Sequence, residues 1–227
     1  MAKLGMPNVI ISFKEAGIAA IERSKRGIVF LVLEEEEAVI TQLTTEPEEG
    51  EEVIQNPFVV YTTDDIPSGL SENNKDYITK CLLGYVTAPY RVKVYLQATG
   101  KSGADKWQDS LKVIATERWD YLAIPGIEEE QLETVGTWIK TNRDNKYKKV
   151  KAVLPGYVGD YEGIINFSNK TIKTATKEYT PSEYTARIAG LIAGTPMTIS
   201  ATYAPLSEVI DCDKYDLDEN DEKVNNG

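Results

Sequence analysis

Two segments of the chain place a Pro-Gly turn directly after a run of apolar residues. Pro125-Gly126 follows the run that ends in Ile124, and Pro155-Gly156 follows the run that ends in Leu154. If both runs are parallel strands, the turns lie at the carboxyl edge of an α/β sheet, where such sheets bind ligands. Neither turn has the glycine spacing of a phosphate-binding or dinucleotide-binding loop. These turns therefore keep one function open as an alternative to the function inferred below. In this alternative the chain is a small cytoplasmic α/β enzyme or ligand-binding protein that uses the loops after Ile124 and Leu154.

The other side chains that could do chemistry are carboxylates. Asp160 and Glu162 could act as a glycosidase pair, but acids make up 36 of the 227 residues and pair by chance. The chain contains no histidine, which excludes Ser-His-Asp and Cys-His catalysis and every His-bearing metal site. The acidic carboxyl-terminal segment does not fit a calcium loop, because Asp221 stands where glycine is required and Gly227 where a bidentate acid is required. We predict no enzymatic activity, no metal and no cofactor.

Composition narrows the range of partners. The formal net charge of -11 at pH 7 argues against a nucleic-acid partner, which needs a basic face. The sequence has neither an apolar run long enough to span a membrane nor the pattern of a signal peptide, so we expect cytoplasmic folding and no membrane partner. The chain has two cysteines, Cys81 and Cys212, which fits a reducing compartment. Cys81 lies on the apolar stripe of a predicted helix and is expected to be a buried thiol.

The order of apolar patterns predicts an α/β fold. Ile28–Leu33 is continuously apolar, as in a strand buried on both faces, and Glu34–Glu37 after it predict a solvated turn. Further strands are predicted at Arg91–Leu96, Tyr121–Ile124 and Val150–Leu154, with helices after Ser71, after Gly103 and from Glu128. Successive strand-helix-strand passages favour parallel pairing. We therefore predict a central mixed, largely parallel sheet with flanking helices.

The most strongly marked helix begins after Thr180. Thr180 can cap it, Pro181 suits its first position, and Glu183 completes a capping box. An apolar stripe lies beside a flank of small residues that recur every fourth position, and such a flank lets another backbone come close. The residues predicted to pack this helix into the core are Tyr184, Ile188, Gly190, Leu191, Ile192 and Gly194, and Ala186 extends the small flank.

Two shorter patterns beside this helix also predict strands. Gly163–Phe167 and Thr171–Lys173 are expected to form a hairpin about Asn169-Lys170. Ile199–Tyr203, which alternates apolar and polar residues, is expected to be a strand.

The chain divides into a core domain and three less regular segments. Residues 1–20 form an amino-terminal arm in which Val9, Ile11 and Phe13 alternate with Ile10, Ser12 and Lys14 as in a strand with one apolar face. That strand either closes the sheet of its own domain or adds to the sheet edge of a neighbour, and its pattern leaves both possibilities open. The core domain is predicted at 21–210, with a small surface β excursion at 41–63, and 211–227 is expected to be an acidic linker.

Several segments of the chain resemble one protein family, in the same order along the whole sequence. They are Met1–Glu15, Glu22–Ile28, Lys151–Leu154, Glu162–Phe167 and Arg187–Pro196. These segments closely resemble contractile phage tail sheath proteins, most of all the short sheaths of R-type bacteriocins and related phages.

The resemblance implies a structural subunit whose central domain has a subtilisin-like topology without that protease's triad. Such subunits stack as hexameric rings around a tail tube and contract to drive the tube through a bacterial envelope. The implied partners are neighbouring sheath subunits, the tail tube protein, the baseplate and the tail terminator. The implied location is the tail sheath of a virion or bacteriocin, assembled in the cytoplasm of the bacterial host. The resemblance also assigns Val9, Ile11 and Phe13 to a strand lent to another subunit.

The sequence departs from the family at its end. Family members continue well beyond the position of Asn226, into a further α/β segment with a carboxyl-terminal arm. We therefore expect residues 211–227 to lead toward a domain that this sequence does not contain, and the isolated chain to be a monomer or a weak oligomer.

Overall fold

The computed structural model describes residues 27–45 and 53–214, together with 218, 219 and 221. The described chain forms a six-stranded sheet with helices on both faces and a separate three-stranded sheet. This architecture confirms the predicted α/β class. The amino-terminal arm with Val9, Ile11 and Phe13 and most of the acidic linker lie outside the described residues.

The strands and helices alternate along most of the chain. The strands are β1 (Ile28–Glu35), β2 (Phe58–Val60), β3 (Arg91–Ala98), β4 (Tyr121–Ala123), β5 (Lys151–Pro155), β6 (Ile164–Phe167), β7 (Ile172–Thr174), β8 (Glu178–Tyr179) and β9 (Val209–Cys212). The helices are α1 (Glu37–Thr45), α2 (Glu72–Leu82), α3 (Gln108–Thr116), α4 (Glu129–Asp144) and α5 (Pro181–Ala193), and a short 3-10 helix spans Thr63–Asp65.

The large sheet has the strand order β2-β3-β1-β4-β5-β6. Strands β3, β1, β4, β5 and β6 run parallel, and β2 pairs antiparallel with β3 at the edge. The chain fills the sheet on one side of β1 and then crosses to the other side. This reversal is a topological switch point between β1 and β4, the place where open α/β sheets form a crevice.

Strand β1 supplies both hydrophobic cores from one run of residues. The side chains of Ile28, Phe30 and Val32 enter the core formed with α3 and α4. The alternate side chains enter the core formed with α1, α2 and α5; they are Val29, Leu31 and Leu33. Because side chains alternate across a strand, a continuous apolar run is what a strand between two helical layers requires.

Polar side chains fix the two ends of β1. At its start, Asp120 Oδ2 accepts hydrogen bonds from the backbone nitrogens of Gly27 (2.8 Å) and Ile28 (3.0 Å). At its end, the Glu35 carboxylate accepts hydrogen bonds from the Ser71 nitrogen (3.0 Å) and Asn74 Nδ2 (2.9 Å). The prediction of a solvated turn at Glu34–Glu37 is therefore wrong for Glu34 and Glu35, which extend the strand. Glu35 is only 5% exposed because these donors replace water.

Strand β3 is covered on both faces. The apolar residues Val92, Val94 and Leu96 alternate along it, so the sequence predicts one buried face, yet Lys93 on the other face is buried as well, and so is Gln97 beyond the predicted end of the strand. Lys93 pairs with Glu117, and Ser110 donates a hydrogen bond to Gln97. The helical layer thus supplies polar partners, so polar residues satisfy their hydrogen bonds inside the protein.

Two local predictions near α5 are wrong. Ile164–Phe167 and Ile172–Thr174 do not form a hairpin, because β6 pairs parallel with β5 in the large sheet while β7 pairs with β8 and β9 in the small one. The region Ile199–Tyr203 is not a strand, and Tyr203 is 98% exposed with a φ of 59°. Alternation alone does not make a strand where no neighbouring strand offers hydrogen bonds.

Two of the three segments predicted to be less regular contribute strands to the sheets. In the segment 41–63, predicted as a surface excursion, Leu43, Phe58 and Val60 are buried and Phe58–Val60 forms the edge of the large sheet. In the predicted linker, Asp211 and Cys212 belong to β9, which pairs antiparallel with β7. Acidic composition predicted no regular structure here. In the fold, Val209 packs against the small core of the three-stranded sheet, the other side chains of β9 are exposed, and the backbone pairs with β7.

Helices α2 and α5 pack closely through glycines. A Cβ atom added to Gly190 would lie 2.0 Å from the backbone oxygen of Cys81, and one added to Gly194 would lie 2.0 Å from the oxygen of Thr87. The predicted flank of small residues is thus the surface where another backbone approaches. Gly190 costs about 1 kcal/mol of helix propensity relative to alanine, and close packing offsets that cost.

We predict that Gly190→Ala lowers the free energy of unfolding by about 2 kcal/mol, because overpacking against backbone outweighs the gain in helix propensity. Urea titration followed by circular dichroism measures the change. Ser182→Ala, in the first turn of the same helix, should change the free energy by less than about 0.5 kcal/mol. A Gly190→Ala protein that is as stable as the unmodified one would contradict the close contact.

Candidate functional site

The crevice at the switch point is filled by the protein's own side chains. Lys106, which is 7% exposed, lies in it with its Nζ 2.8 Å from Glu34 Oε2 and 3.6 Å from Glu128 Oε1. The same ammonium lies 5.0 Å from the centroid of the Trp107 ring. Gly126, in the first Pro-Gly turn, approaches this group so closely that an added Cβ would lie 3.0 Å from Glu34 Oε2. An internal ion pair therefore occupies the place where related sheets bind a ligand.

A second depression lies beside the loops after Ile124 and Leu154. It is a cavity of about 330 Å³ lined by Ile127, Glu129, Leu132, Pro155, Gly156, Pro181 and Ser182. We call it the carboxyl-end cleft. Its walls combine apolar and polar surface, and Glu129 is the one carboxylate among these lining residues. The cleft thus lacks the paired acid and base, or the activated nucleophile, that catalysis needs.

Within the described ranges no group of acidic or cysteine residues could hold a metal ion. Of the predicted carboxylate pair, Glu162 forms an ion pair with Arg143, and this contact holds the pKa of Glu162 below its usual value. No helix of the described part of the chain is both long and apolar enough to cross a lipid bilayer.

The residues predicted to pack α5 into the core lie at three places along the helix. Tyr184 is 1% exposed, Leu191 is buried, and Ile188 is partly buried between the core and the small sheet. Gly190 contacts α2, as described above. The remaining pair lies at the end of the helix: Ile192 and Gly194 line a shallow pocket with Gly27 and Thr87.

Aromatic rings join α5 to the small sheet. The Tyr184 ring lies 5.4 Å from the Tyr179 ring in an edge-on arrangement and 5.9 Å from the Phe167 ring in a stacked one. These rings come from α5, β8 and β6, so they connect the helix to both sheets. Aromatic pairs of this kind contribute about 0.5–1.5 kcal/mol beyond the burial of their surface.

A buried ion pair reinforces the same junction. Arg187 of α5 is 4% exposed, and its Nε donates to Glu208, which lies just before β9. Arg187 Nη1 donates to the Gly84 oxygen at 2.7 Å, and the Tyr184 hydroxyl donates to Glu208 Oε1 at 2.8 Å. Burial alone would raise the pKa of Glu208, but the hydrogen bonds from Arg187 and Tyr184 outweigh it and hold that pKa below its usual value.

Two tyrosine hydroxyls extend the network to α2. Tyr77 donates to Glu183 at 2.7 Å, and Tyr179 donates to Asp76 at 2.6 Å. Burial raises the pKa of each tyrosine, and the acceptor carboxylate raises it further. Both hydroxyls therefore remain protonated donors at neutral pH, and α2, α5 and the small sheet form one connected unit.

Reasoning from the sequence missed the polar half of this junction. Arg187 stands among small and apolar residues of the buried face of α5, and that placement was the one available signal of a buried partner. Glu208 carried no signal, because it lies in a region without periodicity, 21 residues away from Arg187 in the chain.

Comparisons with known proteins find similarity to phage tail sheath proteins. Residues 100–225 match the family described as the phage tail sheath protein central domain. A tail sheath protein of Clostridium phage phiCD119 is 36% identical over an alignment of 227 positions that covers 98% of this chain and 58% of that protein. XkdK, a protein of the phage-like element PBSX of Bacillus subtilis strain 168, is 32% identical over 165 residues, covering 71% of this chain and 35% of that protein.

A solved structure shows the same similarity. The sheath tail protein of Desulfitobacterium hafniense superposes with a TM-score of 0.52 at 26% identity, covering 57% of this chain and 32% of that one. The chain therefore spans little more than half the length of the phage relative, and a smaller share of the others.

We predict that Glu208→Gln lowers the free energy of unfolding at pH 7 by about 2 kcal/mol, because it leaves the buried Arg187 guanidinium without its counter-charge. Thermal or urea unfolding measures the loss. The matched control is Glu178→Gln, whose side chain is 61% exposed and should change stability by less than about 0.5 kcal/mol. Equal effects of the two substitutions would contradict the role of the buried pair.

We also predict that stability falls as the pH drops below about 4.5, the usual pKa of a glutamate. The pKa of Glu208, Glu183 and Glu35 is lower in the folded state than in the unfolded chain. The unfolded state therefore binds more protons at acid pH, and the stabilisation present above the unfolded pKa is lost as the pH falls through the folded value. Urea titrations at a series of pH values measure this slope, which should be shallower for Glu208→Gln.

Proposed function

Because the chain belongs to the phage tail sheath protein family, we propose that it is a structural subunit of a contractile tail sheath. It polymerises with copies of itself as stacked hexameric rings around a tail tube. Contraction of the sheath, triggered through the baseplate, drives the tube through a bacterial envelope. The partners are neighbouring sheath subunits, the tube protein, the baseplate and the tail terminator, and the location is the tail of a virion or bacteriocin assembled in the host cytoplasm.

The single observation that carries this proposal is the family match over residues 100–225, supported by the phage relative along almost the whole chain. The contacts at the switch point agree with it. Lys106, Glu34 and Trp107 fill the crevice, so the α/β scaffold is used for stability instead of ligand binding. This arrangement argues against the alternative of a small enzyme or ligand-binding protein.

Self-assembly through strand exchange follows from the edges of the sheets. Within the described chain, β6 forms one edge of the large sheet and β9 forms one edge of the small sheet. Each edge carries backbone groups that a strand from another subunit can pair with. We propose that Val9, Ile11 and Phe13 form the strand that a neighbour receives. The intervening residues 14–26 reach at most roughly 45 Å at about 3.5 Å per residue, enough to leave their own subunit.

The junction of α5 with the small sheet has a mechanical role in this proposal. Strand β9 lies at the start of the acidic segment, which the family resemblance places before a further domain. Force applied through that segment during contraction reaches the core through Glu208 and Arg187 and the aromatic rings around Tyr184. A rigid junction allows the subunit to reorient as one body while its terminal strands stay paired.

We predict that Val9→Asp, Ile11→Asp and Phe13→Asp together abolish tube formation, because charge on the apolar face prevents the strand from docking. The full-length gene product is expressed with its neighbouring tail proteins, and electron microscopy records whether striated tubes form. Removal of residues 1–14 should have the same effect.

The matched control changes the other face of the same strand. Ser12→Asp with Lys14→Asp should leave the tubes intact. Thermal unfolding of the isolated chain separates the two roles of the strand: an exchanged strand leaves the melting temperature of the triple variant unchanged, whereas a strand that closes its own sheet lowers it. Normal tubes from the triple variant would refute strand exchange, and a full-length product that forms no tubes at all would refute the sheath function.

A further inference from the structure

An ordered turn between α4 and β5 holds a tyrosine out in solvent. Tyr147 is 84% exposed and has a φ of 55°, which is uncommon for a residue other than glycine. Backbone hydrogen bonds fix the turn, from the Lys148 nitrogen to the Asn142 oxygen (3.0 Å) and from the Asn145 nitrogen to the Thr141 oxygen (3.0 Å). The turn therefore presents this aromatic side chain in a defined place.

Lysines flank this tyrosine. Lys146 and Lys149 are exposed, and Lys148 is anchored by a hydrogen bond from its ammonium to the Ala115 oxygen. We call residues 145–149 the basic turn. Tyrosine is enriched at protein interfaces relative to the rest of the surface whereas lysine is depleted there, so the tyrosine is the part of this turn that favours a contact.

The carboxyl-end cleft lies at the other end of β5. The basic turn immediately precedes that strand, and Pro155 and Gly156, where the strand ends, line the cleft. The apolar surface that the cleft offers to an aromatic ring comes mainly from Pro155 and Pro181, because Ile127 and Leu132 are buried at its base. The two surfaces are roughly 17 Å apart along the strand, at about 3.3 Å per residue.

The two surfaces carry opposite charge. Glu129, which lines the cleft, and the next residue along α4, Glu130, are both exposed and opposite in sign to Lys146 and Lys149. None of these side chains forms a salt bridge with another described residue. The amino termini of α4 and α5 contribute about half a positive charge each, which is less than the full charges of the carboxylates. The cleft thus has walls of mixed polarity and one lining carboxylate, Glu129.

We propose that the basic turn of one copy docks in the carboxyl-end cleft of another, with Tyr147 in the cavity and the flanking lysines on Glu129 and Glu130. The inference rests on the proposed function, because a sheath is built from copies of one chain. The occupant is a second copy because one molecule carries both complementary halves. A symmetric dimer through either half alone would bring like charges together.

This contact is head-to-tail. The turn and the cleft lie at opposite ends of β5, so each bound pair leaves one free turn and one free cleft. Repetition produces an open chain or a closed ring, as expected of a heterologous interface.

The test uses sedimentation velocity of the 227-residue chain at high protein concentration. The unmodified chain should associate at about 0.01 M salt and dissociate at about 1 M salt, where charges are screened. A turn variant carries Lys146→Ala, Tyr147→Ala and Lys149→Ala, and a cleft variant carries Glu129→Lys and Glu130→Lys. Each variant alone should bind itself at least about tenfold more weakly, because it lacks an aromatic anchor or carries repelling charge.

Mixing the two variants gives the decisive measurement. The turn variant keeps a working cleft and the cleft variant keeps a working turn, so the mixture should form one-to-one dimers and nothing longer. Circular dichroism confirms that both variants are folded. The matched controls are Tyr203→Ala, which removes a tyrosine that is 98% exposed with a φ of 59°, and Glu178→Lys; both should associate like the unmodified chain.

Several results would overturn the inference. The inference fails if the unmodified chain stays monomeric at low salt, or if both variants still associate with themselves. It also fails if the mixture forms species longer than dimers. A turn variant that loses only its binding to another tail protein would likewise contradict it. None of these results bears on whether the full-length product forms tubes, so failure of this contact and failure of the sheath function are distinguishable.

Discussion

The described fold depends on β1 being hydrogen-bonded on both edges and buried on both faces. It pairs in parallel with β3 and with β4, and its alternate side chains enter separate cores. Its ends are held by Asp120 and Glu35, whose carboxylates accept hydrogen bonds from backbone or side-chain donors. A strand in this position cannot move without breaking both helical layers, so the sheet is a rigid base for everything attached to it.

Three regions attached to this sheet differ in their contacts: the crevice at the switch point, the carboxyl-end cleft, and the junction of α5 with the small sheet. At the switch point the protein satisfies its own charges, since Lys106 neutralises Glu34 inside the crevice. A few residues away, the carboxyl-end cleft stays open, with Glu129 among its lining residues. On the far side of the large sheet from α3 and α4, the network around Arg187 and Glu208 joins α5 to the small sheet. An α/β scaffold that resembles a ligand-binding fold is used here to hold surfaces in fixed relative positions.

The sequence predicted the parts of this fold that follow from local pattern. The continuous run Ile28–Leu33 gave the central strand, and Thr180 with Pro181 and Glu183 gave the start of α5. What depends on distant partners was missed: the pairing of β6 with β5, the burial of Lys93 under a helix, and the ion pair of Arg187 with Glu208. Each of these is decided by what another segment offers, and a one-dimensional pattern carries no record of that segment.

The glycine contact between α2 and α5 also encloses a thiol. Cys81 is fully buried beneath α5, and burial raises the pKa of its sulfur, so it is neither accessible nor nucleophilic while the helices stay together. Cys212 is exposed on β9. The rate at which an alkylating reagent modifies Cys81 therefore reports how often α2 and α5 separate. The exposed Cys212 reacts without that separation and serves as the internal reference.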